Sequence, residues 1–376
     1  MTYKSIKIVK DLNILVISDA APSRNGAGAY YLDLMEQLSE RVNKIELYSP
    51  SIDENNKWHA GLVLPLPGDK TQKLCFPNFF KLNRLFTQLN PDVVIIATPG
   101  VFGLTGAFLA KRKKIPFLTG MHTSFEQLTE LYWPNSLQGK IVEKYFLYSN
   151  RNLFHRTEAV LGNSSSILEQ AKNMGANLVK LIGTPVSAEF SKTPLQNYSG
   201  ELSSCLFAGR LAKEKNIEEL LSTVEAMPEL KFSIAGDGPL REVVINAAKK
   251  YDNLSYLGWL SRHELRCAVD AHDALLLPSH FETFGTIALE AMARQRLAVV
   301  SAGCGISNWS ELSSGIVLIA DTGLLATLKK LQQLAPAERL TITKQALTVA
   351  LKLNSDVIDG WCQILMDTLH KYQGKE

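Results

Sequence analysis

Two glutamates, Glu282 and Glu290, have the residue type and spacing that best suit ligand binding in this sequence. Glu282 follows the apolar run 274–277 in a short loop, and Glu290 lies in the stretch of helix-forming residues that comes next. Ligands of open α/β sheets bind beyond the carboxyl ends of the strands. A loop carboxylate and a second one about 12 Å further along a helix could therefore hold both ends of an extended ligand. The alternative from spacing alone is a surface ion pair between Glu290 and Arg294, with Glu282 solvated.

A glycine, an arginine and a lysine follow an earlier strand in the same half of the chain. Gly209 and Arg210 end the apolar run 205–208, and Lys215 directly precedes a helical stretch. A guanidinium fork and an ammonium group beside a helix N-terminus suit a diphosphate, although both could be solvated loop cations. The next loop, Gly236 to Pro239, permits a tight turn against a ligand or merely a tight turn.

The first half of the chain contains two further candidates. Gly26 to Gly28 precede a helical stretch that we expect to begin near Tyr30, an arrangement typical of phosphate binding. A dinucleotide fingerprint would need a third glycine where Tyr31 stands. His122 follows the strand predicted over 116–119 and is placed to touch a substrate, although a packed or solvated histidine is the commoner alternative.

Strands and helices alternate along both halves, which predicts two doubly wound α/β domains with parallel sheets. The strands of the first half are predicted at residues 12–18, 44–48, 92–97 and 116–119 and near residue 159. Those of the second half are predicted at residues 205–208, 231–235, 255–257, 274–277, 297–301 and 316–319. The pattern loosens near Thr184, and the polar stretch 191–203 is predicted to be the linker. Two helices, 336–353 and about 355–372, are expected to end the chain.

Length and composition exclude several classes of protein. A chain of 376 residues suffices for two domains, and its net charge of +3 gives no case for nucleic acid. The five cysteines contain no CxxC pair, which argues against a disulfide framework or a structural zinc site and favours a reducing, cytoplasmic compartment. No signal-peptide pattern and no apolar run of transmembrane length is present, so we expect a soluble or peripheral protein.

Segment 76–86 interleaves aromatic, aliphatic and basic residues, and Lys111 to Lys114 form a basic cluster. The segment could lie on a membrane surface, with Lys81 and Arg84 against anionic lipid. The commoner interpretation is an amphipathic helix that packs on its own sheet.

Taken together, these motifs occur in an order and spacing that resemble one family. The chain resembles the large family of retaining nucleotide-sugar glycosyltransferases with the GT-B fold and the E-x7-E motif, from Gly26 to the helix around Trp361. The resemblance implies two Rossmann-like domains facing a central cleft. Residues 1–185 would form the acceptor-side domain, onto which the terminal helix 355–376 crosses back, and residues 186–354 would bind the nucleotide sugar.

The resemblance also implies roles for individual residues. Arg210 and Lys215 would bind the donor diphosphate, and Glu290 the ribose. Glu282 and the backbone N–H groups of Thr283, Phe284 and Gly285 would hold the donor sugar, and His122 would contact the sugar being transferred. The catalytic set is therefore His122, Arg210, Lys215 and Glu282. The donor-binding set is Gly26, Gly28, Gly209, Arg210, Lys215, Thr283, Phe284, Gly285 and Glu290.

Donor and acceptor follow from the same resemblance. The donor would be a UDP- or GDP-sugar, and fixed cations could stabilise the departing diphosphate with no metal and no further cofactor. His122 and Thr123, with Phe125 and Tyr132 after them, are similar to the H-T-x-x branch, whose members include lipid glycosyltransferases, and residues 98–100 match that branch. We therefore expect a lipid acceptor, such as diacylglycerol, and peripheral contact of the N-terminal domain with the inner face of the membrane.

Three alternatives remain open at this point. The acceptor could be soluble or a polysaccharide precursor, the protein could be a non-catalytic nucleotide-binding homologue, or it could be a dinucleotide oxidoreductase. The chain also departs from the family pattern in three segments, 183–186, 294–297 and 307–309, of which the first puts the contacts of the domain junction in doubt.

Overall fold

The computed structural model describes residues 7–22, 26–52, 57–66, 69–122 and 136–374, which fall into two units. Unit 1 comprises Met1–Pro185 together with Asp356–Glu376, and unit 2 comprises Val186–Ser355. We refer to them as the first and second domains.

The first domain is built on a six-stranded parallel sheet in the order β10-β9-β8-β7-β1-β2. The strands among its described residues are β1 Asn13–Ile17, β2 Lys44–Tyr48, β3 Ser51–Ile52, β4 Trp58–His59, β5 Leu62–Leu66, β6 Asp69–Phe76, β7 Val93–Ile96, β8 Phe117–Gly120, β9 Val160–Gly162 and β10 Val179–Leu181. Its helices are α1 Gly26–Leu38, α2 Phe79–Leu89, α3 Val101–Arg112, α4 Leu137–Phe154 and α5 Ser165–Asn173. The central strands are buried on both faces, as their continuous apolar sequences require.

The second domain repeats the plan with a parallel sheet in the order β13-β12-β11-β14-β15-β16. Its strands are β11 Ser204–Ala208, β12 Lys231–Ala235, β13 Leu254–Gly258, β14 Ala274–Leu277, β15 Leu297–Val300 and β16 Ile316–Leu318. Its helices are α6 Ala188–Ser191, α7 Ile217–Ala226, α8 Arg241–Lys250, α9 Arg262–Asp270, α10 Thr286–Ala293 and α11 Leu324–Gln333, and α12 Pro336–Gln373 ends the described chain. The predicted α/β fold class, with two Rossmann-like sheets, is confirmed.

Three elements differ from the sequence predictions. Helix α1 begins at Gly26 rather than near Tyr30, so Gly26 and Gly28 lie in its first turn. The two predicted C-terminal helices are one helix, α12, because Asn354 and Ser355 lower the helical propensity without breaking the helix as proline would. Strands β3 to β6 form two antiparallel pairs that the sequence did not indicate, since β6 has a polar sequence that lacks apolar alternation.

The segment 191–203, predicted as a polar linker, belongs to the second domain. Hydrogen bonds from Arg294 hold it there. The Arg294 side chain is fully buried and binds both oxygens of Asp270, at 2.7 and 2.9 Å. It also donates to the backbone carbonyls of Thr193 and Pro194, at 2.6 and 2.7 Å. This buried cation therefore adds charge-assisted hydrogen bonds to the apolar contact that Leu202 makes with the core.

We predict that Arg294→Ala lowers the free energy of unfolding by about 3–5 kcal/mol, because the buried Asp270 carboxylate loses two hydrogen bonds and keeps Arg266, and the carbonyls of segment 191–203 lose their donor. Urea unfolding followed by circular dichroism measures the change. The matched control is Arg241→Ala at an exposed arginine of the same domain, which should stay within about 0.5 kcal/mol of the parent protein. Equal losses in the two variants would contradict the structural role of Arg294.

Candidate functional site

Three loops lie side by side at the carboxyl edge of the second sheet, because they follow the neighbouring strands β12, β11 and β14. Backbone hydrogen bonds join them directly. Leu211 donates to the carbonyl of Asp237 (3.0 Å) and accepts from Leu240 (2.8 Å), and His280 donates to the carbonyl of Glu214 (2.9 Å). The loops after the three strands therefore form one continuous surface.

Glycine permits this close approach between the loops after β11 and β12. A Cβ atom on Gly236 would lie 1.8 Å from the carbonyl oxygen of Gly209, and one on Gly238 would lie 2.5 Å from that of Leu211. Gly236 also has a φ of +133°, which disfavours other residues. Loop packing thus accounts for both glycines in the segment 236–239.

Lys215 and Glu282 meet across this surface. Lys215 is the last residue of a short 3-10 helix after β11. Its ammonium group donates a hydrogen bond to Oε2 of Glu282, which lies in the loop after β14. Both side chains are mostly buried, with 12% and 26% of their surface exposed. The glutamate backbone is held by the loop after β15, since its N–H donates to Gly303 (3.0 Å) and its carbonyl accepts from Gly305 (2.8 Å). Arg210 lies half-buried in the same loop as Lys215.

The residues after Glu282 form a bend that leads into helix α10. Gly285, with a φ of +104°, occupies the residue before the helix, and Phe284 is buried with its ring edge-on to Trp309 at 5.9 Å. Within the described chain, the N–H groups of Thr283, Phe284 and Gly285 donate no hydrogen bond to protein. Three backbone donors at the positive end of a helix dipole can bind an anion or the hydroxyl oxygens of a sugar.

Glu290 lies in the second turn of α10 and has 2% of its side chain exposed. Its Oε1 accepts a hydrogen bond from Arg262 Nη1 at 2.7 Å, and Arg262, at the start of α9, is 38% exposed. The alternative that paired Glu290 with Arg294 is wrong, because Arg294 turns inward to Asp270. No local sequence pattern indicates Arg262 as the partner of Glu290, because the two residues are far apart along the chain.

His122 follows β8 in the first domain and is enclosed by two tyrosines of α1. Its Nε2 lies 2.9 Å from the Tyr31 hydroxyl, and its ring lies 4.4 Å from the ring of Tyr30. Burial lowers the pKa of His122 to about 4, so the imidazole is neutral at pH 7. Thr123, Phe125 and Tyr132 lie outside the described residues.

Two motifs of the first domain have packing roles. A Cβ on Gly28 would lie 2.6 Å from the carbonyl oxygen of Ala21, so glycine lets α1 pack closely on the preceding loop. Thr98 donates to the Asp19 carboxylate at 2.8 Å, and a Cβ on Gly100 would lie 2.5 Å from that group. The segment 98–100 therefore accommodates a partly buried carboxylate, whose pKa is raised by desolvation.

The described residues contain neither a metal-ligand cluster nor a membrane-spanning helix. Among residues 7–22, 26–52, 57–66, 69–122 and 136–374, no three His, Cys, Asp or Glu side chains converge as metal ligands would. In those same ranges, no helix combines the length and the apolar character needed to span a membrane.

The two domains match two protein-family models. Residues 24–190 match the model described as Glycosyltransferase Family 4, and residues 198–335 match the model described as Glycosyl transferases group 1. The matched ranges include His122 in the first domain, and Arg210, Lys215, Glu282 and Glu290 in the second.

Individual relatives are distant. The chain is 27% identical to the sulfoquinovosyl transferase SQD2 of Arabidopsis thaliana over 58% of its own length and 44% of that protein, so it spans less than half of this relative. It is 25% identical to the alpha-monoglucosyldiacylglycerol synthase of Acholeplasma laidlawii, over 75% of this chain and 78% of that one.

Among solved structures, Anabaena Alr3699/HepE in complex with UDP and glucose superposes with a TM-score of 0.66. The match covers 93% of this chain and 99% of the other at 14% identity, which supports the fold alone. The chain therefore has the GT-B fold, with a family 4-like glycosyltransferase domain over residues 24–190 and a group 1 glycosyltransferase domain over residues 198–335.

Proposed function

We propose that this protein is a retaining glycosyltransferase that moves a hexose from a UDP- or GDP-sugar to a hydroxyl group of a membrane lipid such as diacylglycerol. The observation that carries the proposal is the Lys215–Glu282 pair beside three backbone N–H donors at the carboxyl edge of the second sheet. Cation, carboxylate and amides together match the diphosphate and the sugar of such a donor.

The diphosphate is bound by Arg210 and Lys215. While no donor is present, Glu282 neutralises the ammonium group of Lys215. A donor diphosphate brings its own negative charge to Lys215, and Glu282 is then available to the hydroxyl groups of the sugar. As the glycosidic bond breaks, negative charge grows on the departing diphosphate, and these two fixed cations stabilise it with no metal ion.

The ribose binds at Glu290. Arg262 fixes one carboxylate oxygen of this nearly buried side chain, which leaves the carboxylate oriented before any nucleoside arrives. A preoriented acceptor costs little entropy when it receives the hydrogen bonds of ribose hydroxyl groups.

The sugar is held by Glu282 and by the amides of Thr283, Phe284 and Gly285, while His122 contacts it from the first domain as a neutral hydrogen-bonding group. Retention of the anomeric configuration follows from the resemblance to the E-x7-E family. The glycine-rich first turn of α1, from Gly26 to Gly28, approaches the phosphates in the same scheme.

The lipid acceptor is supported by two observations. The Acholeplasma laidlawii relative is named an alpha-monoglucosyldiacylglycerol synthase. Helix α2 buries Leu82, Phe86 and Leu89 but leaves Phe80 83% exposed, beside the exposed Lys81 and Arg84. Exposed rings flanked by cations suit the headgroup region of an anionic membrane, which would place the protein peripherally on the inner face.

We predict that Arg210→Ala and Lys215→Ala each lower sugar transfer at least about a hundredfold, because each removes a charge that stabilises the leaving group. The donor is first identified by thermal shift across UDP- and GDP-sugars, since a bound ligand raises the melting temperature. Transfer is then measured with that donor and a diacylglycerol acceptor. The matched control is Lys213→Ala, an exposed lysine of the same short turn, which should retain activity.

Full transfer by both variants would exclude this donor site. Donor binding without transfer or slow donor hydrolysis would favour a non-catalytic homologue, and transfer only to soluble acceptors would exclude the lipid. The anomeric configuration of the product, read by NMR, decides whether the reaction is retaining.

We predict that Lys81→Glu combined with Arg84→Glu lowers the affinity for anionic vesicles, measured by co-sedimentation, by at least about thirtyfold, because two cations near a charged surface contribute about 1 kcal/mol each and are replaced by repelling charges. Neutral phosphatidylcholine vesicles provide the reference. Unchanged binding to anionic vesicles, together with unchanged activity on a lipid acceptor, would remove α2 from the proposal.

A further inference from the structure

Tyr31 and His122 share a hydrogen bond between two neutral groups. The tyrosine side chain is fully buried, and burial holds its pKa well above the ordinary value, so the phenol keeps its proton. The histidine is neutral at pH 7 for the same physical reason. One proton therefore lies between the Tyr31 oxygen and His122 Nε2, and it belongs to one group or the other.

Counting donors and acceptors decides which group donates. Across the described chain, the Tyr31 hydroxyl forms no hydrogen bond other than the one with His122, and Nδ1 of His122 is buried without any hydrogen-bond partner. If Nε2–H donated to the tyrosine, the phenol O–H and the Nδ1 lone pair would both be buried and unsatisfied. If the phenol donates to Nε2, only the Nδ1–H group remains unsatisfied, and fewer unsatisfied groups cost less free energy.

The neighbouring residues are arranged to keep this contact. A Cβ on Gly120 would lie 1.9 Å from the Tyr31 oxygen and 2.9 Å from His122 Nε2, so only glycine leaves room for the pair. Tyr30, by contrast, is satisfied elsewhere, since its hydroxyl donates to the carbonyl of Gly183 (3.3 Å) and accepts from Trp361 (3.1 Å).

We propose that Tyr31 is a positioning residue that fixes His122 as the Nδ1–H tautomer, so that the ring presents one hydrogen-bond donor to an oxygen of the transferred sugar. The identity of that acceptor rests on the proposed function, whereas the tautomer itself does not. A buried donor left without a protein partner binds a ligand oxygen with little competition, and it rejects a ligand that lacks an acceptor there.

The test is the tautomer of His122, read by NMR from protein labelled with 15N-histidine. The chain has seven histidines, and loss of one set of signals in His122→Gln assigns the residue. At pH 7 the wild-type protein should show Nδ1 protonated and Nε2 as a hydrogen-bonded acceptor. In Tyr31→Phe the Nδ1–H fraction should fall. The matched control is Tyr30→Phe, which removes a hydroxyl that does not contact His122 and should leave the tautomer unchanged.

A kinetic measurement gives a second readout. Tyr31→Phe should lower kcat/KM for the donor sugar about tenfold, the effect of weakening one hydrogen bond. Its affinity for the nucleoside diphosphate alone should not change, because Arg210, Lys215 and Glu290 are untouched.

Each outcome is decisive. The Nε2–H tautomer in the wild-type protein, or the same tautomer fraction in Tyr31→Phe, would overturn the proposal. If Tyr31→Phe does not fold, the wild-type spectrum alone decides. If the tautomer is as expected but no donor sugar is transferred, the positioning role stands and the proposed function falls.

Discussion

The ion pair between Lys215 and Glu282 joins loops from two neighbouring strands, and the arrangement of the second domain's carboxyl edge depends on it. Each charge lies in a mostly buried position where an unpaired ion would be costly. The backbone contacts to Glu214, Gly303 and Gly305 keep the two loops at the spacing that the pair requires. In the proposed function, a donor diphosphate competes with Glu282 for the Lys215 ammonium group.

Three buried or partly buried polar groups of the first domain, His122, Tyr31 and Asp19, are either neutral or already hydrogen-bonded within the domain. His122 is neutral, and its partner Tyr31 is neutral as well, so this pair is held by a hydrogen bond rather than by charge. Asp19 is satisfied by Thr98 and by the N–H groups at the start of α3.

Sequence patterns predicted the fold well because central parallel strands have continuous apolar sequences, which predicted the strand 274–277 of the second sheet at the same bounds as the structure. Sequence patterns did not predict the features that depend on tertiary contacts. Nothing local indicates that Arg294 binds Asp270 or that Arg262 binds Glu290, because these partners are far apart in sequence. Segment 191–203 was predicted as a linker on its polarity, although Arg294 holds it to the second domain. Motif spacing predicted which loops carry Lys215 and Glu282, but not that the two residues form an ion pair.

The central claim is that a donor diphosphate displaces Glu282 as the ion-pair partner of Lys215. Calorimetric titration of Glu282→Gln with UDP and GDP tests this claim most directly. The account predicts that the variant binds its nucleoside diphosphate about three- to tenfold more tightly than the wild-type protein, because Lys215 is released and a repelling charge is removed. Glu229→Gln, at an exposed glutamate of the same domain, controls for the change in net charge. Equal or weaker binding by folded Glu282→Gln, or no binding of either nucleotide by the wild-type protein, would contradict the account.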